Sequence, residues 1–521
     1  MYRSLLQIAL LLSVGAGALG QTAPPEAYRP VYHYTAPKNW VNDPNGLLFD
    51  GRQYHLFYQH NPFGNEWGHM SWGHAVSADL LHWQDKPLAI PEFTHPDGKT
   101  QTAIFSGSAV IDKGNRQGFC PTGTRDCLVA LYTGNVTRGD TQLAQYQNLA
   151  YSADNGLTWQ QYAHNPVLDL NSKEFRDPNV FWYAPQQKWV MATVKATEHR
   201  VALFESTNLK DWRLLSHFGP LTDTSRVWEC PALMNVPIDG EPGRSKWVLF
   251  VSAGHPQPGY LGMQYFVGDF DGRDFRLDPA NPKPLAPAVM NVVDWGKDYY
   301  AAIPVNNRPA AQPNPITIGW VNDWEYANKI PTTPFKGTFA LPRTLTLSRT
   351  AAGLELVQRP ISLAPLRGKP VTLTSRPVTG TLAVPFRGEA YELTVDMGVG
   401  SASQVGLDLL VSGDEATRLR YDVTTQTLSL DRTHSGQVTF SDRFPSVETM
   451  PVPLTNSRLK LHVLVDKAVI EVFADDGRRV LTDAVFPTKH DGQLVLVATG
   501  GTATCHTLTV WPIGTTQTAR R

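Results

Sequence analysis

Three carboxylates stand in aromatic surroundings that solvated acids seldom keep: Asp43 in Trp40-Val41-Asn42-Asp43-Pro44-Asn45-Gly46, Asp177 in Phe175-Arg176-Asp177-Pro178, and Glu229 in Trp228-Glu229-Cys230-Pro231. Two such groups suffice to break an acetal, one protonating the leaving oxygen while the other meets the developing cation from the opposite face. Asp43 suits the second task. Asp-Pro-Asn-Gly fits a type I turn, and Pro44 pushes its predecessor towards extended geometry, so a short ionised carboxylate is expected at a strand tip on a stiff support. Glu229 has the longer reach, and burial beside Trp228 with negative charge nearby is expected to raise its pKa for the acid role. Asp177 follows Arg176, whose fixed charge is expected to hold it ionised as a group that grips hydroxyls. Taken singly, each motif reads as something blander: a surface hairpin, an ion pair, a satisfied polar side chain. Their recurrence among large apolar residues argues for a shared site.

A second cluster of reactive side chains, His55, His60, His69 and His74, raises the question of a metal. Their spacing fits no helix-borne ligand pair, and histidines on strands beside Trp and Tyr serve packing or ligand contact, so no metal is expected. The two-carboxylate chemistry needs no cofactor.

Remote residues can meet only if the fold brings them together. Runs such as Tyr54–Tyr58, Leu128–Tyr132, Trp189–Val194 and Trp247–Val251 are apolar, β-branched or aromatic and bounded by turn residues, which predicts strands. Beside them a second element recurs: Ser77-Ala78-Asp79 leading to Trp83, Ser152-Ala153-Asp154 leading to Trp159, and Ser206-Thr207-Asn208 leading to Trp212. A strand-and-turn unit repeated every several tens of residues marks a propeller or similar radial array, whose strands can aim Asp43, Asp177 and Glu229 into one central funnel. Further along, Tyr391–Val395, Leu459–Val465, Val469–Phe473 and Leu494–Val497 alternate with period two, which predicts an antiparallel β-sandwich. The chain therefore reads as all-β, with a propeller over residues 29–345, a turn-rich linker over 346–367 and a sandwich over 368–516; the tail from Gly514 reads as disordered.

Bulk properties bound the partners. The 521 residues exceed one ordinary core, and 46 basic against 47 acidic side chains leave a net charge of -1, with no basic footprint for nucleic acid. Ten per cent aromatic content, with 41 Gly and 40 Pro, suits short strands and a neutral polar ligand with apolar faces, which describes a sugar. Residues 1–20, a basic start followed by the Leu5–Leu12 run and small residues, read as a secretory signal peptide; no later segment spans a bilayer, so a secreted protein without membrane attachment is expected. An exported chain can staple the Cys120 to Cys127 loop, although spacing alone leaves the connectivity open; Cys230 and Cys505 read as buried thiols. Asn135-Val136-Thr137 is a glycosylation acceptor pattern.

Four motifs in fixed order, Trp40–Gly46, Phe105-Ser106-Gly107-Ser108, Phe175–Pro178 and Trp228–Pro231, make the chain resemble the invertase, inulinase and levanase family of glycoside hydrolases over nearly its whole length. Val41 stands where the family usually has Met. The resemblance implies a five-bladed β-propeller followed by a C-terminal β-sandwich and a retaining attack on β-fructofuranosides. It also implies Asp43 as nucleophile, Glu229 as acid and base, and Asp177 as transition-state stabiliser. Asn42, Gln59, Ser106 and Arg176 match family residues that hold the terminal fructose, and Trp67 and Trp324 match the aromatic walls. The Phe57–Pro62 and Gly64–His74 stretches look closest to exo-acting inulinases and levanases, so the expected activity is release of terminal fructose from levan, inulin and sucrose. A sucrose-specific invertase and a fructosyltransferase share the same three acids. A non-catalytic fructan-binding lectin is the rival of another class.

Overall fold

The computed structural model describes residues 26–514 except 222–223, 256, 258–259, 280, 282–290 and 490–491. The signal-peptide reading and the tail beyond Gly514 lie outside the described residues.

Five antiparallel sheets follow one another along the chain. Their first strands are Asn39–Phe49, Thr100–Lys113, Phe175–Tyr183, Glu229–Pro237 and Tyr300–Pro304. Each of these packs against the first strand of the next sheet, and the fifth returns to the first, which closes a ring and makes the array a five-bladed propeller. Ring closure is reinforced by Phe335–Lys336, which pairs parallel with Asn39 and Trp40. Innermost strands are covered on both faces, and nine of eleven residues in Asn39–Phe49 are buried even though its first half is polar.

The recurring Ser-x-Asp/Asn motif has one conformation in three blades. Ser77, Ser152 and Ser206 each bond the Asp or Asn two residues on. The indole N–H of Trp83, Trp159 and Trp212 then closes the loop on the carbonyl of Leu80, Gly156 and Leu209. Leu80 and Leu209 are held at φ 68° and 63°, a left-handed strain tolerated because the loop over-determines it.

The linker expected over 346–367 is mostly sheet. Arg343–Thr350 and Gly353–Pro360 pair as the outer hairpin of the fifth blade, with Leu345, Leu347, Leu354 and Leu356 buried. The Thr, Ala and Gly content that reads as a bridge belongs to its tight turn.

In the C-terminal sheet, Gln493–Pro512 pairs with Gln404–Ser412 through its first half and with Ala390–Gly398 through its second. The change of partner falls at Gly500 and Gly501, with φ 69° and 159°, where a side chain would collide with Ser403 and Ser401. One ladder thereby folds into two layers around a core that includes Leu393, Val463, Leu407 and Leu428. Buried ions join this sandwich to the propeller: Arg343 bridges Asp294 and Glu471, Arg432 pairs with Asp298, and His33 lies between Asp466 and Glu471.

Candidate active site

All five innermost strands break register near their starts: between Val41 and Pro44, Ile104 and Gly107, Arg176 and Asn179, Glu229 and Ala232, and Tyr300 and Ile303. A bulge bends its strand and re-aims a side chain, so the same irregularity, repeated around the ring, turns one residue after another into the funnel. Pro44, Pro178 and Pro231 occupy three of these breaks because proline cannot supply a ladder N–H. Asp-Pro-Asn-Gly is therefore not the type I turn expected at residues 43–46; it lies inside an eleven-residue strand. Asn45 makes this possible by donating to the Asp43 carbonyl and accepting from Gly107 N–H, at 3.0 and 2.9 Å. Gly107 is needed at its own break, since a Cβ there would lie 2.1 Å from the Leu131 carbonyl.

The breaks assemble a cavity of 330 Å³ lined by Asp43, Asp177 and Glu229. Asn42, Gln59, Trp67, Ser106, Arg176 and Trp324 line it too, so every site residue singled out in the sequence shares one pocket. Asp43 Oδ2 accepts from Ser106 Oγ at 2.6 Å and Oδ1 from Asn42 Nδ2 at 3.0 Å, while Trp40 Nε1 orients the Asn42 amide. Across the pocket, Glu229 accepts from Tyr300 OH at 2.9 Å and pairs with Arg176 at 3.2 Å. Asp177 takes the Cys230 N–H at 3.0 Å, and the Cys230 thiol reaches Asp43 Oδ2 at 3.5 Å. Trp324 is braced by Trp40 and Trp320, and Trp67 is held over the mouth by Phe105 and by a bond from its N–H to Asn328.

Electrostatics follow from depth. Burial pushes the Asp43 carboxyl up, with the Ser106 and Asn42 hydrogen bonds opposing it. Asp177 is pushed up to about 7 by burial; the Arg176 cation pulls the other way and the Glu229 charge adds to the rise. The sequence expectation that Arg176 keeps Asp177 firmly ionised is thus overturned, because desolvation outweighs a guanidinium that Glu229 and Glu174 also share. Glu229 is less buried than its place between Trp228 and Cys230 led one to expect. Its side chain is 27% exposed where it lines the pocket, and the Trp228 indole is buried against Phe266.

Several participants were not singled out in the sequence. Tyr300 and Asn328 lack any motif, and Phe105 opens the Phe105–Ser108 motif without being singled out as a site residue; Tyr300 was findable only as the opening residue of the fifth repeat. Cys230 reads as a buried thiol, which it is, but its position between two carboxylates is tertiary. The four histidines serve the fold: His55 bonds His74 and Asp50, His60 bonds the Trp40 carbonyl, and His69 bonds Glu92. Cys120 and Cys127 are joined as a disulfide. Asn135 sits within a strand, its amide oxygen accepting from Gln142 and Gln145.

The family model described as "Glycosyl hydrolases family 32 N-terminal domain" matches residues 33–360, and that described as "Glycosyl hydrolases family 32 C terminal" matches residues 363–512. The levanase of Bacillus subtilis (strain 168) is 40% identical over 516 residues, covering 97% of this chain and 73% of that protein. The extracellular exo-inulinase of Aspergillus awamori is 39% identical over 509 residues, covering 92% and 93%. The crystal structure of exo-inulinase from Aspergillus awamori superposes with a TM-score of 0.85 at 38% identity, covering 94% of this chain and 99% of that one.

Proposed function

The chain belongs to glycosyl hydrolase family 32, a family of fructan and sucrose hydrolases, and from that premise we propose that it is a secreted exo-fructanase. In this reading it removes terminal β-fructofuranosyl units from levan, inulin and sucrose with retention. One observation carries it. Asp43 and Glu229, 186 residues apart in the chain, line the same small cavity, one buried under fixed hydrogen-bond donors and the other partly exposed.

Asp43 attacks C2 of the terminal fructose as Glu229 gives its proton to the departing oxygen; the C2–O bond breaks and an ester to Asp43 forms. Water then adds to C2, returns a proton to Glu229 and releases Asp43. Asp177, beside Arg176, binds sugar hydroxyls, with contacts that tighten as the ring flattens towards an oxocarbenium ion. Asn42, Gln59 and Ser106 hold the same sugar, while Trp67 and Trp324 wall it. A cavity of 330 Å³ lies at the small end of ligand pockets, roughly 300–1,000 Å³, which favours one chain end over an internal segment. The N-terminal apolar run and the Cys120–Cys127 disulfide favour export.

Product analysis tests this. Levan and inulin should yield free fructose from the first minutes, and Asp43→Asn should lose roughly 10⁴-fold in kcat on sucrose. Early release of oligomers would refute the exo reading. Turnover of sucrose alone would restrict the enzyme to invertase activity, and accumulation of elongated products would make it a transferase.

A further inference from the structure

The innermost strands that open the catalytic pocket at their starts line a second cavity at their other ends. It measures 320 Å³, nearly the volume of the first, and is walled by the end of the second blade's inner strand, by Trp182 and Trp189 of the third blade, and by Asn306 and Asn307. Asp112 in its wall lies six residues beyond Ser106 in the same strand. At about 3.3 Å per residue, that sets the two cavities roughly 20 Å apart on opposite faces of the propeller.

The composition is that of a sugar site. Trp182 is 42% exposed, and the Trp189 ring holds it edge-on at 4.9 Å between centroids, which presents a rigid indole face at little entropic cost. Trp189 is itself only 8% exposed, so the ring that supports Trp182 is firmly packed. Gln117, Gln187 and Arg116 add hydroxyl-binding side chains around the opening. A neighbouring cavity of 460 Å³ shares Trp182, Asn306 and Asn307, so the groove continues past the indole and suits several linked rings better than one.

We propose that this groove on the far face of the propeller is a second, non-catalytic glycan site that holds an internal stretch of the β-fructan chain against Trp182. The identity of the sugar rests on the function proposed above; the presence of a glycan groove does not. Its use is tethering: a chain held here keeps the enzyme on the polymer, raising the local concentration of chain ends for the catalytic pocket.

Affinity electrophoresis through gels containing levan or inulin tests this in the Asp43→Asn background, which spares the polymer. Trp182→Ala should weaken retardation roughly tenfold while leaving sucrose binding unchanged, and in the active enzyme it should raise KM for levan but not for sucrose. Should Trp182→Ala lose sucrose turnover through misfolding, Gln187→Gly, which suits the left-handed φ of 50° at that position, serves instead. Unchanged retardation in the variant, equal retardation by dextran, or retardation abolished by high salt would overturn the proposal. A wild-type enzyme inert on both sucrose and fructans would instead overturn the proposed function, whatever the gels show.

Discussion

Cys230 gives its backbone N–H to Asp177 Oδ2 at 3.0 Å, and both residues are held at positive φ, 45° and 63°. Neither is glycine, so each conformation costs on the order of 1–3 kcal/mol and persists because the bulges of adjacent blades fix it. This bond joins the third blade to the fourth directly behind Glu229, making the position of one acid depend on the backbone of the next.

Removing the hydroxyl beside Asp43 should move the pH profile. The Ser106 hydrogen bond opposes the rise that burial imposes on Asp43, so Ser106→Ala should raise that carboxyl further. The acid limb of kcat/KM for sucrose is expected to shift upward by about one pH unit, with kcat down roughly tenfold at the optimum. A profile that stays in place would mean that Asp43 does not govern the acid limb.

Asp177 should make the folded enzyme less stable as pH rises. Its folded pKa of about 7 lies above the ordinary 3.8, so between those values the folded state keeps a proton that the unfolded state has released. Stability from this group is therefore lost as pH climbs from about 4 to 7, by roughly 2–4 kcal/mol. Asp177→Asn escapes the penalty. The melting temperature of the variant minus that of the wild type should grow across the same interval, measured by calorimetry.

His33 should act at higher pH. Burial opposes its charge, but hydrogen bonds to Asp466 and Glu471 prevail and lift it from 6.5 to about 9. Its contribution is complete below 6.5 and disappears as pH rises through 9. His33→Gln should cost about 3 kcal/mol at pH 6 and far less at pH 10, read from denaturant midpoints at the two values.

Arg343 is fully buried between Asp294 of the propeller and Glu471 of the sandwich, at 2.8 and 2.5 Å. Arg343→Met would leave two buried carboxylates facing each other, at a cost of roughly 3–5 kcal/mol. The expected signature is a split of the thermal transition into two as the units uncouple. A single unshifted transition would remove this ion cluster from the interface energetics.

What the sequence determined on its own was whatever depends on local pattern. Period-two alternation and turn spacing specified strands, the Ser-to-Trp element specified a repeat, and aromatic settings marked Asp43, Asp177 and Glu229 as unlike surface acids. The tertiary structure decided what depends on distance and depth. Asp-Pro-Asn-Gly carries ordinary turn chemistry, and only the ladders on either side of it, with Asn45 reaching Gly107 in the next blade, keep it inside a strand as a bulge. Residues 346–367 look like a bridge until Leu345, Leu347, Leu354 and Leu356 find a core to fill. Arg176 beside Asp177 promises an ionised pair, yet the protonation of Asp177 follows from its burial and from a glutamate 52 residues away. Neighbours along the chain fix conformation through short-range sterics and hydrogen bonding, whereas desolvation and charge coupling are set by whatever the folded chain packs around a group.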